Sequence, residues 1–344
     1  MSISTTAPEL VGALRQGRRV RRRAVTRTLV VLALALVVLA AGALMIGETF
    51  YPPGDVLAVI LGHPVPGASY TVGELRLPRT VLAVLAGTAF CASGAIFQTM
   101  LRNQLASPDI IGISSGAGAA GVVGIVFLHL NQTLVSLFAL IAGLAVAAVI
   151  YLLSLRSGFS GTRLILIGIG MAALLQSVTT YTLSRAASWD LPSATRWLTG
   201  SLNNATWAVV GPLAVCVLVV LPLLLVLGHP LSILRMSEDI AAGLGIRVTL
   251  TRVVLVIGAV ALIAVATAAC GPIAFVAFMA GPIASRLVGT ATSPVLPAAL
   301  VGALLVLGAD LIGQFALGTR YPVGVITGIL GAPYLILLLI RSPH

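Results

Sequence analysis

Asp310 is the one carboxylate set deep inside a long apolar run of this chain, and a charge placed there needs a partner, water or a proton. Two chemistries are open to it. It can take up a proton or cation during transport, or it can accept hydrogen bonds as a fixed structural group near the outer end of its helix. A single acid makes a poor proton relay, which favours the structural role. Gln98, Gln176 and Gln314 read similarly, as interhelical hydrogen-bond partners rather than substrate ligands.

Elsewhere the means for catalysis are thin. His63, His129, His229 and His344 are far apart and show no metal-ligand spacing. Cys91, Cys216 and Cys270 each lie in an apolar run and read as buried small hydrophobes, not as disulfide partners or ligands. No Ser-His-Asp set or His-Glu metal pair can be assembled. All 20 basic residues are Arg. A nucleotide-binding phosphate loop requires a lysine to reach the phosphates, so ATP hydrolysis is expected on another chain. This chain is therefore expected to be no enzyme by itself and to work without a cofactor or metal.

What must position these groups is lipid-embedded helix. Hydrophobic residues make up 59% of the 344 positions and charged residues 8%, against roughly 25% charged in a soluble domain. Apolar runs near residues 28–47, 79–101, 109–128, 133–154, 163–183, 207–228, 253–270, 271–288, 295–317 and 322–340 approach the ~20 residues a membrane helix needs. The expected fold is an all-α integral membrane protein of about ten transmembrane helices, with 1–27 a basic cytoplasmic segment and 28–344 one membrane domain. The pair around Gly271 also reads as one broken helix. The first run exceeds the roughly 7–15 residues of a signal-peptide core and so reads as a retained anchor.

The net charge of +11 invites a nucleic-acid reading. The position of the arginines argues against it. Seven lie between Arg15 and Arg27, directly before the first span, where a topology determinant belongs; an anionic-lipid contact is the second reading. With the N-terminus inside, 15 of the 20 arginines fall inside, and only Arg76, Arg79, Arg185, Arg196 and Arg320 fall outside. That asymmetry predicts cytoplasmic termini and an even number of crossings.

Two segments rich in helix breakers, Ser107 to Gly118 and Gly271 to Pro282, suit either broken helices along a path or close small-residue packing. On the inner side Ser237, Glu238 and Asp239 open an apolar pattern closed by Leu244 and Gly245, which is the signature of a short capped helix.

Leu75-Arg76-Leu77-Pro78-Arg79, the stretch Arg102 to Asp109, and Gly112 to Gly118 resemble FecCD-type permeases of binding-protein-dependent ABC importers. The resemblance continues through Arg196 to Leu202, Ser237 to Gly245, Gly271 to Val276, Tyr321 to Thr327 and Gly331-Ala332-Pro333, and covers nearly everything after residue 70. It implies ten helices in a type II importer permease, and inward transport of an iron(III)-siderophore, haem or cobalamin. The implied partners are a second permease subunit, as homo- or heterodimer, two cytoplasmic ABC ATPases and an extracytoplasmic substrate-binding protein.

The same resemblance implies residue roles. Arg76, Arg79 and Arg320 would pair with acids of the binding protein. Ser237, Glu238, Asp239, Gly243, Leu244, Gly245 and Arg247, within a cytoplasmic coupling loop at about 229–252, would enter a cleft on the ATPase. Ser160, Gly161 and Thr162, with Asn103 and Gly116, would narrow the pore. Asn103-Gln104 stands where many relatives have Asn-Pro. Ala280-Gly281-Pro282-Ile283-Ala284-Ser285-Arg286 resembles the ferric-siderophore branch, closest to ferric-enterobactin-like permeases. An ion-coupled secondary carrier is the rival of a different class, with Asp310 as its required site.

Overall fold

The computed structural model describes residues 7–108, 112–155, 161–235, 237–289 and 293–341. Among them every regular element is helical. In order these are α1 (Ala7–Met45), α2 (Pro53–Ile60), a π-helical turn Thr71–Arg76, α3 (Leu77–Met100), α4 (Ile113–Val126), α5 (Gln132–Ser154), α6 (Gly161–Arg185), α7 (Leu191–Thr199), α8 (Trp207–Val226), α9 (Gly228–Leu234), α10 (Glu238–Gly243), α11 (Val248–Cys270), α12 (Val276–Val288), α13 (Val295–Phe315) and α14 (Val323–Arg341).

Seven helical stretches are long and apolar enough to cross a membrane: those in α1, α5, α6, α8, α11 and α13, and α3 with the turn before it. Three of the ten expected segments, in α4, α12 and α14, give shorter apolar helices. The cause in two of them is a left-handed residue directly before the helix, Gly112 at φ +92° before α4 and Phe275 at φ +64° before α12. α4 has 14 residues, about 21 Å of helix rise, against a hydrocarbon layer of roughly 30 Å. Ten crossings would need the residues before such helices to complete them. The pair around Gly271 is two separate helices with five residues between them. α1 also begins earlier than the apolar run, because the arginine-rich stretch continues it as helix through good helix formers.

α3 is buried for most of its length, while α1, α6 and α8 leave most of theirs uncovered. It packs most extensively against α13 and next against α11 and α12. Small residues permit this closeness: a Cβ on Gly87 would come within 2.9 Å of the Ala303 Cα, and one on Gly302 would run into Cys91. Gly302→Val is expected to destabilise the fold by about 1–3 kcal/mol through overpacking. The yield of monodisperse protein after detergent extraction should fall, whereas Gly170→Val on uncovered α6, with open space around it, should leave that yield unchanged.

Candidate functional site

Most of the polar groups singled out in the sequence collect at the two ends of α3. The 24 residues of that helix separate the ends by about 36 Å.

At the first end, Arg76, Arg79 and Arg320 line one cavity of about 460 Å³ together with Glu48, Asn203 and Gln314. The π-helical turn and Pro78 set the first two arginines at the start of α3. Arg76 donates from Nη1 to the carbonyls of Leu44 (3.0 Å) and Met45 (3.1 Å), and from Nη2 to Thr49 (2.7 Å), and lies 5.0 Å from the Tyr51 ring centre. A cation on the last carbonyls of α1 is favoured by the helix dipole, so this guanidinium ties α1 to α3. Among the described residues its contacts include no carboxylate.

Arg79 makes a forked pair with Asp310, Nε to Oδ2 at 2.8 Å and Nη2 to Oδ1 at 2.7 Å, and its Nη1 donates to Asn203 Oδ1 at 2.9 Å. Gln314 Nε2 donates to Asp310 Oδ2 at 2.7 Å. The Asp310 side chain is 3% exposed and that of Arg79 21%. Asp310 is thus held as a structural acceptor, with both oxygens engaged. Arg320 pairs with Glu48 where both side chains are exposed, an arrangement that contributes little to stability.

The glutamines divide. Gln98 on α3 donates to the Phe278 carbonyl of α12 (2.9 Å) and to Gln104 O (3.0 Å), an interhelical bond as expected. Gln314 serves Asp310 one turn away on its own helix instead. Gln176 is exposed on α6.

At the second end, Asn103, Gly161 and Thr162 line one cavity of about 520 Å³ with Ser237, Glu238 and Asp239. Residues expected to couple to an ATPase and residues expected to narrow a pore therefore share one space. The Ser237 side chain caps α10 by accepting from Ile240 N at 3.0 Å. Gly245 at φ +80° ends the segment. Ala241 faces inward and is fully buried, whereas Ile240 is 45% and Leu244 65% exposed. Gly243 and Arg247 are exposed beside them, and Glu238 pairs with Arg252. Gly116 lies apart from this group, buried in the α4–α5 contact with Val146. Ser160 lies outside the described residues, as do Asp109 and Arg156.

One feature escaped the sequence reading. Gly170, Ala173, Gln176, Ser177, Thr180 and Ser184 form an exposed stripe along α6. The hydroxyls of Ser177, Thr180 and Ser184 bond back to carbonyls of their own helix. In sequence the three-to-four residue spacing of this stripe is blurred by Thr179 and Thr182, which are polar too but buried on the opposite side, bonded to Leu175 and Val178.

The comparison with known proteins agrees with this geometry: residues 32–341 match the FecCD transport family. The chain belongs to that family. Among FecCD relatives, the ferric enterobactin transport system permease protein FepG of Escherichia coli K12 is 39% identical over 316 residues, 92% of this chain and 96% of that protein. The achromobactin transport system permease protein CbrC of Dickeya dadantii is 39% identical over 337 residues, 96% of each. The vitamin B12 import system permease protein BtuC of Klebsiella pneumoniae is 33% identical over 333 residues, 95% of this chain and 96% of that protein. A solved structure described as an inward-facing metal-chelate type ABC transporter superposes with a TM-score of 0.80 at 26% identity, covering 92% of this chain and all of that one. The FecCD chain described here is thus a multi-pass membrane permease of an ABC importer, a class that works with ATPase and substrate-binding partners. Its arginines 15 to 27 precede the matched region.

Proposed function

We propose that this permease carries an iron(III)-siderophore complex into the cytoplasm, through a pore it forms with a second permease subunit. The observation that carries the proposal is the α6 stripe. A side-chain amide such as that of Gln176 is poorly solvated by lipid, so a membrane helix that exposes it faces water or another subunit. The stripe lies on the outside of a single chain, and the passage it borders needs a second wall. Neutral hydroxyls, an amide and small residues suit a bulky, often anionic complex that must pass without being held.

In this reading the Arg76 end is outside and the Ser237 end inside, with ten crossings and both termini cytoplasmic. Arg320 and the Arg76 guanidinium meet acids of the binding protein over the outer cavity, and Arg79 is the third cation there, steadied by Asp310. α10 and residues 229–252 enter the ATPase, one of two, and closing of that cleft is transmitted to Gly161 and Thr162 across the shared inner cavity. ATP is bound by the partner and no cofactor by this chain. The name of FepG, a ferric enterobactin permease, supports an iron-chelate cargo, and Gly281-Pro282 points to the same branch.

Uptake of labelled ferric siderophores, haem and cobalamin by cells with and without this subunit tests the cargo. Ferric-siderophore uptake should be lost and the other two retained. Loss of cobalamin uptake alone would replace the assignment with the one in BtuC's name.

A further inference from the structure

We infer that the outward face of α1 is a binding site for an anionic phospholipid, its acyl chain lying along Val30, Leu34 and Val37 and its phosphate held by Arg19, Arg23 and Arg27. In chain order these residues are spaced by four, four, three, four and three positions, which places them in one row on a helix of about 3.6 residues per turn. All of them are exposed. Leu32, Leu36 and Leu39, on the opposite side of the same helix, pack against the core. The row therefore faces away from the bundle, and its apolar half faces lipid.

The arginines stand at the depth of the headgroups. From Thr28 to Met45 α1 rises about 27 Å, close to the roughly 30 Å of a hydrocarbon layer. Arg27 then sits at the edge of that layer, with Arg23 about 6 Å and Arg19 about 12 Å farther out. The first two fall among the headgroups, and the third lies within roughly 8 Å of them, one Debye length. The chain supplies no countercharge. These three side chains form no ion pair among the described residues, and the only acid in α1 is Glu9, ten residues before Arg19. Like charges four apart on a helix repel, and a phosphate between them replaces that repulsion with charge-assisted hydrogen bonds. A zwitterionic headgroup brings its own cation and gains less. A nucleic acid would use the arginines but leave the apolar half of the row without a role. The match to the FecCD family begins at residue 32, after the last of these arginines, and the transport cycle proposed above leaves them unused. Which leaflet supplies the lipid follows from the proposed orientation; the site itself does not.

The test uses the purified full chain in detergent, where there is no membrane topology for the arginines to set. Native mass spectrometry measures the binding of phosphatidylglycerol and of phosphatidylcholine. The native chain should bind phosphatidylglycerol more tightly by about tenfold or more. Arg19→Gln/Arg23→Gln/Arg27→Gln should erase that preference. Gln is about as good a helix former as Arg, so helical content by circular dichroism should not change. Single substitutions test the position of the site. Arg23→Gln should weaken phosphatidylglycerol binding by about fivefold, whereas Arg21→Gln, about 160° round the helix from it, should leave binding within about twofold. Millimolar glycerophosphoglycerol, the headgroup without its chains, should not displace the lipid. Equal binding of the two lipids by the native chain, or equal losses in Arg21→Gln and Arg23→Gln, would overturn the inference. Displacement by glycerophosphoglycerol would replace the lipid with a free phosphate compound. Tighter binding of a short single-stranded DNA than of phosphatidylglycerol would make the row a nucleic-acid site instead.

Discussion

Asp310→Ala should lower the stability of the permease by about 2–4 kcal/mol. Removing one partner of a buried ion pair typically costs about 3–5 kcal/mol because the other charge is left uncompensated. Arg79 is 21% exposed, so water recovers part of that loss. Asp310→Asn should cost less, since an amide oxygen still accepts one of the two Arg79 bonds. Replacing both members, Arg79→Leu with Asp310→Leu, should restore much of the lost stability, because no lone charge remains. A double-mutant cycle on the melting temperature in detergent measures this directly. Asp310→Asn also separates transport classes. Uptake per folded molecule should persist, depend on ATP and resist collapse of the ion gradients. Complete loss of uptake in well-folded Asp310→Asn would revive the carboxylate as an ion site and sink the structural assignment.

The same residue shows what could be read without coordinates. One carboxylate in an apolar run had to be partnered, and the rarity of acids made it conspicuous, but its partner lies 231 positions earlier in the chain. Arg79 looked like a surface group at the start of a span; only the packing of α3 on α13 brings the two together. α10 was legible to its ends because capping is local chemistry, a serine before two acids and a glycine after the last turn. Arg76, Arg79 and Arg320 were recognisable from their place at span ends, yet their division into a carbonyl clamp, a buried pair and an exposed pair depends on tertiary contacts. The α6 stripe was hidden for a different reason. Composition marks a helix as polar on one side only when the other side is apolar, and Thr179 and Thr182 satisfy themselves against their own backbone while buried. Spans shortened by left-handed residues, Gly112 before α4 and Phe275 before α12, were overestimated because hydropathy does not register where helix begins.

Ile240→Asp with Leu244→Asp should abolish uptake, by a hundredfold or more, while leaving the amount of folded permease unchanged. These side chains are 45% and 65% exposed, Ile240 on α10 and Leu244 directly after its last residue, so the chain's own fold gains little from them. An exposed apolar pair at a capped helical turn has its stabilising partner elsewhere, and burying a Leu or Ile side chain contributes about 1.5–3 kcal/mol. Placing two carboxylates there removes that contribution and adds desolvation of charge to the cost of docking. Co-purification of the ATPase and ATP-dependent uptake should be lost together. Ala241→Asp supplies the contrast, because Ala241 is fully buried against the permease itself; it should reduce the folded protein before it affects docking. A permease that kept its ATPase and its uptake with both aspartates in place would show that force enters somewhere other than α10, and the shared cavity from Ser237 to Thr162 would lose its meaning as the route to the pore.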